Sequence, residues 1–203
     1  MTTYPATTGM NGRIARLRDL EPTKRSYEGG GTGVPSAAYE MLAARNIYML
    51  MAPKNRSRGM NKPAVEGLPG LEVAIVECPP GNGAELHAHE RTTESFMALD
   101  GRYEIIWGHQ GENSILLEPY DFVSVPPGVY RAFRNADDHE AKMLVFIQGA
   151  NGDSMNDITY EASVGQRTQA RFGAEATQNM ANIGIRFAPT SASASVSDPV
   201  EHR

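Results

Sequence analysis

One cysteine, Cys78, is all that the 203-residue chain contains, so no disulfide can form within it. Long apolar runs are missing too. No stretch approaches the roughly 18 residues that a membrane-crossing helix needs, and the N-terminus lacks the apolar segment of a secretory signal. These absences predict a cytoplasmic protein with no membrane partner. Positive charge is also scarce: 19 Lys+Arg against 24 Asp+Glu leave a formal charge of -5, and no basic stripe offsets it. A nucleic-acid partner is therefore not expected. No internal repeat is present, and between Leu71 and Gly149 no helix-length pattern interrupts the strands, which excludes a βαβ architecture.

What is present reads as one β domain with extensions at both ends. Residues 1–34 are rich in Gly, Thr and Pro and close with "EGGGTGVP", a composition suited to an extended arm rather than a core element. "SAAYEMLAARN" predicts a short helix with Ser36 as its N-cap, and "IYMLM" a strand. From Leu71 onward, short apolar runs alternate with turn residues, and strands are expected near 71–78, 84–89, 94–100, 102–108, 113–117, 121–125, 129–135 and 141–148. Asp100-Gly101 reads as a tight hairpin turn. Cys78, at the end of "LEVAIVEC", reads as a small buried hydrophobe rather than a reactive thiol. "YEASVGQRTQARFG" predicts a helix ending at Gly173, "NIGIRFA" a short strand, and 189–203 a disordered tail.

The stretch "GNGAELHAHERTTESFMALDG" concentrates groups that can carry chemistry. Side chains alternate across a strand, so His87 and His89 share a face, and Glu85 shares their parity. "RTT" turns the chain back, and Glu94 opens the next strand, where an antiparallel partner would lie opposite the histidines. Two imidazoles and one carboxylate meeting in this way could hold one divalent metal ion with positions left open. The arrangement suits Fe(II), while Mn, Ni, Zn and Cu accept the same donors.

These residues resemble the cupins. Gly81, His87, His89, Glu94 and Gly101 match the first cupin motif at every defined spacing, and Pro126, Gly128 and Asn135 match the second. Tyr120 stands where that second motif has glycine, and Arg131 where it has histidine. The resemblance covers roughly residues 70–150. It implies an all-β fold, a cupin-like antiparallel β-barrel or jelly roll with short helical N- and C-terminal extensions. On that basis the chain divides into an arm and helix (1–45), a barrel (46–150), a C-terminal extension (151–188) and the tail (189–203).

In the family, the residue at position 131 would complete three histidines and a glutamate around the metal. Arginine offers no lone pair. If its charge lay about 6 Å from a divalent ion, the repulsion would be roughly 5 kcal/mol at an effective dielectric of about 20. Three arrangements follow. Arg131 could bind an anionic substrate beside a metal held by His87, His89 and Glu94. It could pair with Glu94 or Glu85 in a barrel without metal, or turn toward the barrel mouth.

Two histidines and one carboxylate with positions left open predict a metal-dependent oxidoreductase of dioxygenase type acting on a small anionic or oxygen-chelating molecule, with Arg131 and Glu85 as catalytic candidates; the resemblance itself does not choose among functions. The alternatives are a non-redox isomerase or lyase and a metal-free cupin that binds a small acid. The arm and "IYMLM" could pair across a two-fold axis, so a homodimer is expected.

Overall fold

In the segment Leu71–Cys78 every second residue is buried, with Glu72, Ala74, Val76 and Cys78 inward. The same two-residue period builds both faces of a sandwich. The computed structural model describes residues 7–24, 32–54, 63–150 and 157–190. In chain order its strands are β1 (Asn46–Pro53), β2 (Val65–Gly67), β3 (Leu71–Cys78), β4 (His87–His89), β5 (Thr93–Asp100) and β6 (Tyr103–Trp107). They continue with β7 (Asn113–Leu117), β8 (Phe122–Val125), β9 (Arg131–Asn135), β10 (Ala141–Gln148), β11 (Ile158–Tyr160) and β12 (Ile185–Phe187). One sheet runs β2-β1-β3-β10-β5-β8 and the other β12-β11-β4-β9-β6-β7. The pairings are antiparallel except β1 with β2 and β11 with β12. This is the all-β jelly roll expected, with two short helical extensions.

The core lies between the sheets. Phe96 and Phe133 meet there with ring centroids 5.5 Å apart, beside Tyr103, Ile105 and Leu117. Cys78 is fully buried in this cluster, and burial pushes its thiol up to about 12. It behaves as the small hydrophobe that its setting predicts.

The extensions fold back onto one edge. Helix α1 (Ser36–Leu42) buries Ala38, Tyr39 and Leu42, and helix α2 (Ala162–Asn179) packs Val164 into the same cluster with Tyr160, Met180 and Ile183. Ser36 is the first residue inside α1 rather than its cap. Pro35 holds the cap position with extended backbone, and no side chain caps the helix. Within α2, Gly173 adopts φ 88° and interrupts the helix at the position where the sequence predicts its end. The arm is not wholly outside the core, because Thr23 is 1% exposed and both its amide and its hydroxyl bind the carbonyl of Ile47. The expected tail falls almost wholly outside the described residues.

Two expectations about pairing are corrected. Asp100-Gly101 does not close a hairpin: β5 pairs with β10 and β8, while β6 pairs with β9 and β7 in the opposite sheet. The turn is a corner that carries the chain between sheets. Gly101 has φ 69°, and a Cβ there would stand 2.6 Å from the Ala141 side chain. β1, proposed for pairing across a two-fold axis, lies between β2 and β3 of its own chain.

Tyr120 keeps the backbone of the glycine that it replaces. Its φ is 75°, while its side chain is 76% exposed and its amide binds the carbonyl of Ala98 at 2.8 Å. A non-glycine residue in this region costs about 1–2 kcal/mol, and glycine would return part of that gain through its greater freedom in the unfolded chain. Tyr120→Gly is therefore expected to stabilise the fold by about 1 kcal/mol, read as a higher urea midpoint at unchanged slope.

Candidate metal centre

His87 and His89 lie on β4, separated by Ala88, and both are buried at 4% and 1% exposure. The register places His87 opposite Arg131 on β9, and Arg131 opposite Trp107 on β6, so these residues share one row of the sheet. Glu94 comes from the other sheet. The expected antiparallel pairing of its strand with the histidine strand does not occur, because β4 pairs with β9 and β11 while β5 pairs with β10 and β8. The convergence happens across the interior instead. Residues 90–92 carry the chain from one sheet to the other.

Each imidazole is oriented from behind. His87 Nδ1 donates to the backbone carbonyl of Glu85 at 2.7 Å, and His89 Nδ1 donates to Asp157 Oδ1 at 2.9 Å. Carbonyl and carboxylate oxygens only accept, so the proton sits on Nδ1 and Nε2 of the neutral ring carries the lone pair. Burial lowers the His87 pKa from its ordinary value, against the opposing pull of Glu94, which favours that neutral form. Asp157 is fully buried and is held in turn by the backbone amides of Arg91 (2.8 Å) and Thr92 (2.9 Å). Burial pushes the Asp157 carboxyl up, but His89, these amides and the Thr92 side chain together hold it well below the usual carboxylate range.

Glu94 is the meeting point. Its Oε2 stands 3.4 Å from His87 Nε2, 3.5 Å from His89 Nε2 and 3.9 Å from Arg131 Nε. Burial raises its pKa, and the two histidines and Arg131 more than reverse this, bringing it to about 2. Arg131 has no exposed surface. Its Nη2 donates to the carbonyls of Pro126 (2.8 Å) and Val125 (3.3 Å), while Nε and Nη1 have no hydrogen-bond partner among the described residues. Burial draws its pKa down, and Glu94 and Asp157 oppose that shift. Arg131 thus pairs with Glu94 and does not turn toward the barrel mouth.

Glu85 is placed elsewhere. β4 begins two residues after it, and its side chain binds Arg134 at 3.2 Å and Arg167 at 2.8 Å, leaving its backbone carbonyl as its contribution to the centre.

A cavity of about 100 Å³ adjoins His87, His89 and Glu94, and Arg131, behind Glu94, does not line it. Its other walls are largely apolar, including Ala84, Phe133, Val145 and Ile147, and both extensions contribute to them through Tyr39 and Tyr160. Two residues that sequence reasoning passed over belong here. Asp157 lies 68 positions from His89 and no local pattern marks it. Glu72 is 2% exposed and lines the cavity. Strand parity could have found it, since it shares a face with Cys78, already read as buried.

The donors fit a metal ion. His87, His89 and Glu94 offer ligand atoms within 4.8 Å of one another. With metal–ligand bonds of about 2.0–2.2 Å, neighbouring donors stand about 3.0–3.5 Å apart, and the two Nε2–Oε2 distances match. Glu94 Oε2 is buried with no hydrogen-bond partner among the described residues, as a ligating oxygen would be. Both Nδ1 atoms are engaged outside the centre, the support that metal-bound histidines receive. The charge of Arg131 is met by Glu94 and Asp157, which supplies the compensation that its position demands.

Residues 74–147 match the family model described as "Cupin domain". An inward His-x-His on one sheet with a glutamate from the facing sheet, inside a jelly roll, is a donor set that could hold a metal ion. Over residues 74–147 the chain is similar to the cupins. No curated protein matches the sequence. Among solved structures, a recombinant oxalate oxidase in complex with glycolate is 24% identical with a TM-score of 0.38, the match covering 45% of this chain and 46% of that one. A cupin protein from Bacteroides fragilis is 26% identical, covering 43% of this chain and 72% of that one, with a TM-score of 0.37. The DMSP lyases RdDddP and RnDddQII are represented by a chain 20% identical, covering 54% and 51%, with a TM-score of 0.40.

Two substitutions probe the centre from behind. Asp157→Asn is expected to weaken divalent-metal binding about 10–100-fold while the fold persists, measured by competition with a chromogenic chelator and by circular dichroism. Arg131→Met removes the buried cation and is expected to strengthen metal binding at least about ten-fold in the same assay.

Proposed function

We propose that the chain is a metal-dependent oxidoreductase of dioxygenase type, acting on a small oxygen-chelating molecule in the cavity beside His87, His89 and Glu94. The observation that carries this reading is the number of donors. Two imidazoles and one carboxylate converge where the family motif would place a fourth ligand, and Arg131 occupies that fourth position without donating to the centre. His87, His89 and Glu94 would hold Fe(II), which would supply the redox chemistry for O₂-dependent oxidation of a chelating substrate.

The protein's own groups do the remaining work. The Glu85 carbonyl and the Asp157 carboxylate keep both Nε2 atoms aimed inward. His89, His87 and Arg131 together keep Glu94 ionised, and Arg131 does so without competing for the site, since its Nη2 is bound to the Val125 and Pro126 carbonyls. The apolar walls limit the water that shares the cavity with a ligand, which strengthens every charge–dipole contact made there.

Elemental analysis of the purified protein is the first test, with about one iron per chain expected. O₂ uptake with a panel of hydroxy acids and phenols should follow, lost on chelation and lost in His87→Ala. Turnover without O₂ by protein loaded with Zn, Mn or Ni would replace this reading with a non-redox isomerase or lyase.

A further inference from the structure

The outward face of the sheet β2-β1-β3-β10-β5-β8 is apolar across its middle, where contact with water would favour polar side chains. On β3 the even-numbered residues are buried in the interior, which leaves Val73 and Ile75 on the outer face. The register continues them across the sheet. Ile75 lies opposite Leu144, Leu144 opposite Met97 and Met97 opposite Phe122, so one apolar row crosses four strands. In the next row Val73 lies opposite Phe146, whose ring is 6.4 Å from that of Phe122. Among the described residues, none of these six side chains joins a core cluster, and Phe122 is 54% exposed. Charge sits to one end of the face. Glu77, Lys142 and Asp100 form the row there, with Lys142 Nζ 3.8 Å from Glu77 and 3.9 Å from Asp100.

The size of the face suits a protein partner. Strands β1, β3, β5 and β10 are each eight residues long. With β8 they present roughly 600 Å² of flat area, at about 4.8 Å between strands and about 3.4 Å per residue. Side-chain relief raises the accessible area toward the roughly 800 Å² that each partner gives to a stable interface. Monomers seldom expose a continuous apolar patch of more than a few hundred Å².

The charge pattern favours a second copy of this chain. β3 and β5 flank β10, so a copy turned about an axis along the strands would place Lys142 over Lys142 and Glu77 over Asp100. Turned about an axis across the strands, the copy puts its charged row at the opposite rim and lays apolar rows on apolar rows. Lys142 then keeps its partners within its own chain, and the sheets stack in the aligned manner of a β-sandwich.

We propose that this outer sheet face is the interface of a two-fold dimer, with Ile75 and Leu144 of each protomer packed against the apolar rows of its partner. The contact uses a sheet face and no strand edge, and it does not depend on the metal centre.

Sedimentation equilibrium of the full chain tests it. Wild-type protein is expected at twice the chain mass. Leu144→Lys and Phe122→Lys should each raise the dimer dissociation constant about ten-fold or more, with circular dichroism unchanged. Phe122 is more than half exposed, so a lysine there suits the monomer even if Leu144→Lys fails to fold. Leu116→Lys, on β7 of the other sheet at 43% exposure, should leave the dimer intact. A wild type that is monomeric at every concentration would overturn the proposal. So would a dimer that Phe122→Lys leaves unchanged, or one that Leu116→Lys dissociates as readily as Phe122→Lys.

Discussion

Glu94 holds a full negative charge in the interior, and three nitrogen-bearing side chains within 3.9 Å of one oxygen keep it there. Isolated, that carboxylate would take up a proton, because burial alone raises its pKa. The imidazoles and the guanidinium reverse the shift. Arg131 is the unusual member, since it gives the carboxylate a permanent counter-charge yet has no lone pair to offer. The pair would attract by about 4 kcal/mol at an effective dielectric of 20, which the cost of burying both charges largely cancels. Its use is electrostatic definition rather than stability.

Arg131 also explains why the centre needs support from further along the chain. A guanidinium beside a divalent ion is tolerable when other carboxylates balance it, and Asp157 does so from behind His89. That aspartate begins the segment leading into β11, the strand that pairs with the histidine strand, so one stretch of backbone delivers both a ladder and a counter-charge. The extension after the barrel is in this sense part of the site.

Local rules made most of the fold readable. Strands of alternating period appear within a few residues of their expected limits, and the spacing Gly81–His87–His89–Glu94–Gly101 was enough to name the three donors. The errors lie where a local pattern has two global solutions. A positive φ at Gly101 serves a hairpin and a corner equally, and the pairing of β5 with β10 decides between them. Glu94 was expected beside the histidines in one sheet and reaches them from the other, because the distance between sheets is invisible in a linear pattern. Asp157 could not be inferred from any neighbour in sequence, whereas Glu72 was implied by a strand parity already in use.

The chamber's walls are gathered from distant stretches, from Thr23 to Ile185, and the hydroxyl of Tyr160 reaches the carbonyl of Leu42 across 118 positions. On a nascent chain the His/His/Glu trio emerges well before Ile183 and Ile185. Enclosure of the chamber therefore depends on the segment carrying Ile183 and Ile185 as much as on the barrel itself.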